Sequence, residues 1–368
     1  SNARYWRLLA ENFFQAIDEL CKLKEVKKEF LYEAVQTGLL TAYKKDFNNA
    51  DNASVVIDET NKDISLILKK KVVKKVKDPI KEISLEEAKN INQEAEIGDI
   101  VDVKETSPMF GRVAAEICKH VISQKLRDAE VETVYEEFIK KEHDMILGEI
   151  SKISPTKINV ILKRAEGILP LDEQIKNEKY VIGGKLYFYI VSVQRRQKEP
   201  IIILSRTHPQ LLKKLMELEI PELKQGIIEV RGIVREPGIR AKVSVVSKDE
   251  KVDPVGTCIG AKGTRINSVG SHLNNEKIDV IRWNDDPRIY IANALSPAKV
   301  SPEMVIIDEE NRIVNVTVNK DQFSLAIGKG GSNVKLAARL TGYKIDISPK
   351  EDTDKWKKRL EFMNLQKN

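Results

Sequence analysis

The sequence predicts a multidomain α+β protein: a mixed α/β N-terminal domain, a small five-stranded β-barrel, and two tandem α/β modules. Three observations carry that prediction. Helical and strand periodicities alternate over residues 4–142. Short apolar runs punctuated by glycine and proline fill residues 143–207. A unit of two strands, helix, Gly-x-x-Gly, helix and strand then occurs twice. Boundaries are expected at 4–142, 143–207, 208–297 and 298–350, with 351–368 as a C-terminal tail.

Composition bounds the answer before any motif does. The chain has 368 residues, enough for two to four domains at roughly 100–200 residues each. No apolar run approaches the roughly 20 residues that span a bilayer. The start "SNARYWRLLAENFFQ" lacks a basic region followed by an apolar stretch, so no signal peptide is expected. Ser1-Asn2-Ala3 is read as a cloning remnant and set aside. The net charge of +6 is a mild pointer to an anionic partner. Cys21, Cys118 and Cys258 are far apart and without nearby histidines, which fits neither a disulfide framework nor a zinc site. A reducing, cytoplasmic setting is expected.

In the N-terminal domain, Phe13, Ile17 and Leu20, then Leu31, Val35 and Leu39, recur at helical spacing. "SVVIDETNKDISLILKKKVVKKV" (54–76) reads as strands around a polar turn at residues 59–63. The lysines within it suggest an edge strand guarded against aggregation, or a nucleic-acid contact. Ser84 with Glu87 forms a capping-box pattern, and "IGDIVDV" reads as a strand. A long amphipathic helix is expected over about 112–142, with Val113, Ile117, Val121 and Leu126 on its apolar face.

The next stretch supplies five strands: "MILGEI", "KINVILKR", "GILP", "KLYFYIVSVQ" and "PIIILSR". Five strands in that length suggest a Greek-key barrel of the OB type. Tyr187, Phe188 and Tyr189, with Tyr180 nearby, either fill its core or stack bases. Lys157, Lys163, Arg164, Arg195 and Arg196 either follow phosphates or form an ordinary solvated surface.

The repeat is the most informative feature. "CIGAKGTRINSVGSHLNNEKIDVI" (258–281) aligns with "AIGKGGSNVKLAARLTGYKIDI" (326–347), with one residue of slack before the strand. Glycines at the corner remove Cβ atoms and admit another backbone. The first-turn N–H groups of the following helix lack intrahelical acceptors and carry the positive dipole end, a setting that suits phosphate. Lys262 and Lys329 are read as adding charge at the same spot, and Arg265, Lys335 and Arg339 make the second helices basic. A Walker loop fails at Ala261, and a Rossmann fingerprint fails at Asn333. Isoleucine before Gly-x-x-Gly between helices, followed by a strand, matches the KH module, here expected as type II, whose loop clamps about four nucleotides. One Gly-x-x-Gly alone is more often a plain helix–helix turn; two in register favour binding. Ile259 and Ile327 are expected to face the groove floor.

His120, His143, His208 and His272 are scattered singly, and no catalytic constellation is legible. No cofactor or metal is expected, and no enzymatic activity.

A mixed N-terminal domain, an S1-type barrel and two tandem KH modules together resemble the NusA family of bacterial transcription factors over essentially the whole chain. The specific stretches are "VDPVGTCIGAKGTRI", "NEKIDVI", "IANALSPAKV" and "DQFSLAIGKGGSNVKLAARLTGYKIDI", with "GRVAAEICKHVISQKLRDAE" and "ILSRTHPQLLKKLMELEIPE" at the expected places. The resemblance implies an N-terminal domain docked near the RNA exit channel of RNA polymerase core, and a nascent single-stranded RNA on the barrel and KH modules. Other Nus-type antitermination factors are further candidate partners; no membrane is, and a monomer is expected. The implied function is modulation of pausing, intrinsic termination and antitermination. Carried over by position, the RNA-binding residues are Gly260, Ala261, Lys262, Gly263 and Arg265 in the first loop. In the second they are Gly328, Lys329, Gly330, Gly331, Asn333, Lys335 and Arg339. Lys157, Arg164, Arg195 and Arg196 are candidates in the barrel.

Two departures from the family pattern matter. Asn159 and Lys163 stand where members often carry an aromatic and a glycine, so that strand is not expected to stack bases. The chain ends in "DKWKKRLEFMNLQKN" without the acidic repeats some members append, and functions tied to those repeats are not expected. An RNA-processing nuclease or phosphorylase subunit is the rival reading. It needs an acidic metal cluster among Asp46, Asp51, Asp58, Glu59 and Asp63. A ribosome-associated RNA-binding protein is the third.

Overall fold

The computed structural model describes residues 12–47 and 51–350. The expected helical start at residues 4–11 and the tail at 351–368 lie outside the described residues. Two compact units divide the chain, one up to Glu130 and one from Val131 on.

In the first unit, helices α1 (Phe13–Lys24) and α2 (Lys28–Asp46) bury the stripe Phe13, Ile17, Leu20, Leu31, Val35 and Leu39. Asn12 caps α1, its side chain accepting from the Gln15 N–H at 3.3 Å. The sheet consists of β1 (Ala53–Asp58), β2 (Asp63–Val73), β3 (Glu82–Ser84) and β4 (Ile100–Thr106). Strand β2 is central: it pairs antiparallel with β1 and β4 and parallel with β3. The lysines at 69–71 therefore lie in the middle of the sheet, not on its edge. Alternation exposes Lys69 and Lys71 while Leu68 and Val72 are buried. Ser84 opens α3 (Leu85–Ile91), accepting from the Glu87 N–H at 3.2 Å.

Helix α4 runs from Pro108 to Ile139, starting and stopping earlier than its periodicity suggests. Its buried face is Ala114, Ala115, Cys118 and Ile122, with Leu126 exposed. Val113, Ile117 and Val121 pack partly buried against the same core, so the expected face holds except at Leu126. Farther along, Val134 and Phe138 belong to the core of the next domain.

The second unit begins with the barrel: β5 (Met145–Ile153), β6 (Lys157–Leu162), β7 (Ala165–Pro170), β8 (Lys185–Gln194) and β9 (Ile201–Ser205). It closes in the order β5-β6-β7-β9-β8, with only β7 and β9 parallel. That is the S1/OB-like barrel the strand count predicts.

The first KH module is α5 (Pro209–Glu219), α6 (Pro221–Lys224), β10 (Ile228–Glu236), β11 (Arg240–Ser247), α7 (Pro254–Ile259), α8 (Thr264–Ser271) and β12 (Lys277–Arg282). The second is α9 (Pro287–Ala294), β13 (Val305–Asp308), β14 (Ile313–Val318), α10 (Lys320–Ile327), α11 (Ser332–Thr341) and β15 (Lys344–Pro349). In each, the first two strands are antiparallel and the third joins the second in parallel, the mixed sheet of a type II module. The extra residue of the first copy falls in the turn at Asn274 and Asn275, both left-handed; the second copy ends α11 on left-handed Gly342 instead.

Candidate nucleic-acid interface

Each Gly-x-x-Gly forms a single tight turn between two helices, and the two copies share one backbone. Gly260 and Gly328 sit at φ 75°, ψ 173° and φ 74°, ψ 171°, a region that is essentially glycine's alone. A Cβ on Gly328 would lie 2.7 Å from Asn333 Cβ and 2.8 Å from its backbone N. The first glycine is thus required by the close approach of the next helix. Gly263 and Gly331 cap α8 and α11 without any side-chain hydrogen bond. The Thr264 and Ser332 N–H groups donate back to the Ala261 and Lys329 carbonyls, and no side chain caps the rest of the first turn, where the positive dipole end faces outward. By contrast α7 is closed off by Asp253, which accepts from Val255 and Gly256.

The charges at these corners sit one position apart, not at the same spot. Lys262, at φ 52°, ψ 29°, occupies the left-handed place that Gly330 fills in the second copy (φ 63°, ψ 20°); Lys329 aligns with Ala261. All four residues are exposed. Lys335 arches back to its own loop, its Nζ 3.4 Å from the Gly330 carbonyl. Ile259 is half-buried against the first module's core, and Ile327 is half-buried beside the second loop.

Three sequence-predicted residues do other work. Asn333 is 1% exposed, and its Nδ2 donates to the Leu295 carbonyl at 3.0 Å and the Ala326 carbonyl at 2.9 Å. It anchors α11 and cannot reach RNA. Arg265 holds the same place in the first copy; its Nη1 meets Glu222 at 2.9 Å and the Thr257 carbonyl at 3.1 Å. Arg339 reaches the Arg235 carbonyl at 3.3 Å, linking the second module to the first. An asparagine or arginine two residues past the last glycine is a scaffold position in both copies.

The barrel candidates separate likewise. Arg195 meets Glu132 at 2.8 Å and lies over the Tyr135 ring at 4.6 Å; Arg164 meets Glu137 at 3.4 Å. Both pair with the last turns of α4 while their side chains stay more than half exposed. Arg196 donates to Gln194 at 3.2 Å, and Lys157 is exposed at the start of β6. Phe188 is wholly buried inside the barrel. On the opposite face of β8, Tyr189 packs into the first KH core and stacks on His208 at 4.3 Å. Tyr187 stands edge-on to His272 at 5.2 Å, and Tyr180 accepts the Ile175 N–H at 3.0 Å. These aromatics build the barrel and its junction, not an open stacking platform.

Three of the five acidic positions that a nuclease would use are also committed. Asp58 caps its turn at Thr60 and Asn61, Glu59 meets Lys28 at 2.9 Å, and Asp63 meets Lys104 at 2.9 Å. Among the described residues no group of acidic, histidine or cysteine side chains could hold a metal. Cys118 and Cys258 are fully buried, and burial pushes their thiols up to about 12. No described helix is long and apolar enough to cross a membrane.

Comparison with known proteins adds the family. Residues 12–132 match the NusA N-terminal domain, 206–283 the NusA-like first KH domain and 287–355 the NusA-like second KH domain. The transcription termination/antitermination protein NusA of Halalkalibacterium halodurans is 43% identical over 340 residues, covering 92% of this chain and 88% of that protein. The protein of the same name from Bacillus subtilis is 42% identical over 346 residues, covering 94% and 92%. That of Thermus thermophilus is 38% identical over 353 residues, covering 93% and 91%. The chain belongs to the NusA family.

NusA proteins are transcription factors, not enzymes. A chain of buried charges, missed in the sequence, holds the modules of the second unit together. Arg206 is fully buried; it pairs with Glu178 and donates to the Tyr187 carbonyl at 2.7 Å and the His272 carbonyl at 2.9 Å. Arg235 pairs with Glu276 at 3.0 Å and donates to the His208 carbonyl at 2.8 Å. Lys242, also buried, meets Asp279 at 3.0 Å and the Ser296 carbonyl at 2.6 Å. Barrel, first KH and second KH modules are stitched by these contacts and by Tyr290 on Ser244 at 2.9 Å. The one signal available in sequence was a charge set inside otherwise apolar strands, as in "GIVRE" and "AKVSVV".

Proposed function

We propose that this NusA-family chain is an RNA-binding transcription elongation factor that binds RNA polymerase core and the nascent transcript. It modulates pausing, intrinsic termination and antitermination. The observation that carries the RNA contact is the pair of matching exposed corners, each with a helix N-terminus that no side chain caps and a lysine beside it. The contact set is Gly260–Gly263 and Gly328–Gly331 with Lys335; Asn333, Arg265 and Arg339 support it from behind. Termination and antitermination rest on the names of the relatives, and docking on polymerase through the N-terminal domain rests on membership of the family.

The test places aspartates at the corners: Ala261→Asp, Lys262→Asp, Lys329→Asp and Gly330→Asp in one chain. Residue 330 is left-handed, a conformation that aspartate tolerates better than most residues. A folded variant should lose at least about tenfold in affinity for single-stranded RNA, since each loop exchanges attraction for repulsion. Binding as tight as the parent's would remove the clamp assignment. Capture of RNA polymerase core by the full chain tests the other half.

A further inference from the structure

The first unit carries a cavity of about 280 Å³, bounded by the last turns of α2, the first turn of α4 and strands β1 and β2. Its apolar wall is Leu39, Val55, Leu66, Phe110 and Val113, and Met109, 63% exposed, stands at the opening. At about 30 Å³ for each water-sized group, that volume takes about nine non-hydrogen atoms.

Two features of the wall define what fits. Tyr43 lines the cavity at 7% exposure, and its hydroxyl is buried without a hydrogen-bond partner among the described residues. A buried hydroxyl left unpaired is both costly and uncommon. The second feature is negative charge. Cross-strand register puts Val55, Leu66 and Glu105 in one row, so Glu105 is a carboxylate on the sheet face that otherwise packs against the helices. Burial raises the Tyr43 pKa, and the charges of Glu105 and Asp78 add to that; Glu105 is thus within Coulombic reach of the hydroxyl. Asp46, three residues along α2 from Tyr43, lines the same space. Glu105 and Asp46 are exposed and have no ion pair among the described residues. The rings of Tyr43 and Phe47, 4.7 Å apart, add an aromatic side to the opening.

We propose that this cavity binds a small organic ammonium ion whose apolar body, an aryl group on a short alkyl chain, fills it. The body lies between Leu66, Phe110 and Val113, while the ammonium group pairs with Glu105 and Asp46 and donates to the Tyr43 oxygen. Apolar wall, unmatched carboxylates and orphaned hydroxyl each find their complement in that one ligand. An anionic ligand meets repulsion from both acids, and a plain hydrocarbon leaves the hydroxyl unpaired. The site stands apart from the glycine loops, and nothing in it depends on the RNA-binding reading.

The test uses the full chain with carbon-13-labelled methionine methyl groups, which gives five signals; Met109→Leu assigns the one that matters. Titration with 2-phenylethylamine should move the Met109 signal saturably and leave the others in place. The neutral alcohol of equal size, 2-phenylethanol, should bind at least about tenfold more weakly, since it forgoes the charge-assisted hydrogen bonds. Tyr43→Phe and Glu105→Gln should each weaken the amine about tenfold, with the remaining methionine signals reporting an intact fold. Ala42→Phe, at an exposed position of the rim, should abolish binding by filling the opening. The site is refuted if Met109 does not respond to the amine, or if the alcohol binds as tightly. It is equally refuted if Tyr43→Phe and Glu105→Gln both bind like the parent, in which case water alone serves the hydroxyl.

Discussion

Arg235 and Glu276 close an ion pair at the heart of the second unit, with side chains 1% and 0% exposed and Nη2 3.0 Å from Oε1. Glu276 also accepts the Gly238 N–H at 2.6 Å, and the Arg235 guanidinium donates to two carbonyls of the segment leading into α5. Removing one partner strands the other charge in a dry site, which typically costs about 3–5 kcal/mol. Glu276→Ala should therefore lower unfolding free energy by about that much in urea titration, whereas Glu229→Ala, at an exposed pair, should cost at most about 1 kcal/mol. Equal, small losses would show that the buried pair is not structural.

The two loop lysines make a quantitative prediction about salt. On single strands each phosphate contact contributes about 0.7 to the slope of log affinity against log salt concentration. Lys262→Gln with Lys329→Gln should flatten that slope by about 1.4, as two lost contacts require. A slope unchanged across a salt series would mean that neither lysine meets a phosphate.

The glycines of the second loop should rank by their surroundings. Gly330 has nothing within 4 Å of a Cβ, so Gly330→Ala bears only the left-handed strain of about 1–2 kcal/mol. Gly328→Ala adds overlap with the Asn333 backbone, which cannot yield without moving α11 and the two hydrogen bonds that Asn333 makes. Chemical denaturation should find Gly328→Ala the more damaging; the reverse order would contradict the loop geometry.

Acid should loosen the barrel–KH junction through His208. Burial holds its pKa below the ordinary 6.5; Glu173 opposes that, while Arg235 and His143 reinforce it. The folded state thus resists protonation that the unfolded chain accepts. The stabilisation is full above the unfolded value and is lost as pH falls through the window down to the folded value. Geometry agrees: His208 Nδ1 accepts the Gln210 N–H at 3.1 Å to cap α5, and protonation removes that acceptor. His208→Asn keeps a cap that does not titrate. Between about pH 7 and pH 5.5 the parent's melting temperature should fall more than the variant's; parallel curves would acquit His208.

Much of this molecule was legible residue by residue. The helical stripes at Phe13–Leu39, the five barrel strands and the twice-written glycine corner are local patterns, because periodicity and turn chemistry act over a few residues. The slack between the two copies was legible too, and the structure spends it on the turn at Asn274 and Asn275. The lysine run at 69–71 misled because composition does not say which strand is central; β2 is, with neighbours on both sides.

Which basic residues remain available to a ligand was decided only by tertiary packing. Arg265, Arg339, Arg164 and Arg195 look as free in the sequence as Lys262 and Lys329, yet each finds a partner once the chain is folded. Apart from the Thr257 carbonyl, those partners lie 27 to 104 residues away in sequence, far beyond the reach of any local pattern. Coulombic pairing depends on distance in space. The amino-acid order therefore specified the phosphate-sized corners, while the fold chose which charges would stand beside them.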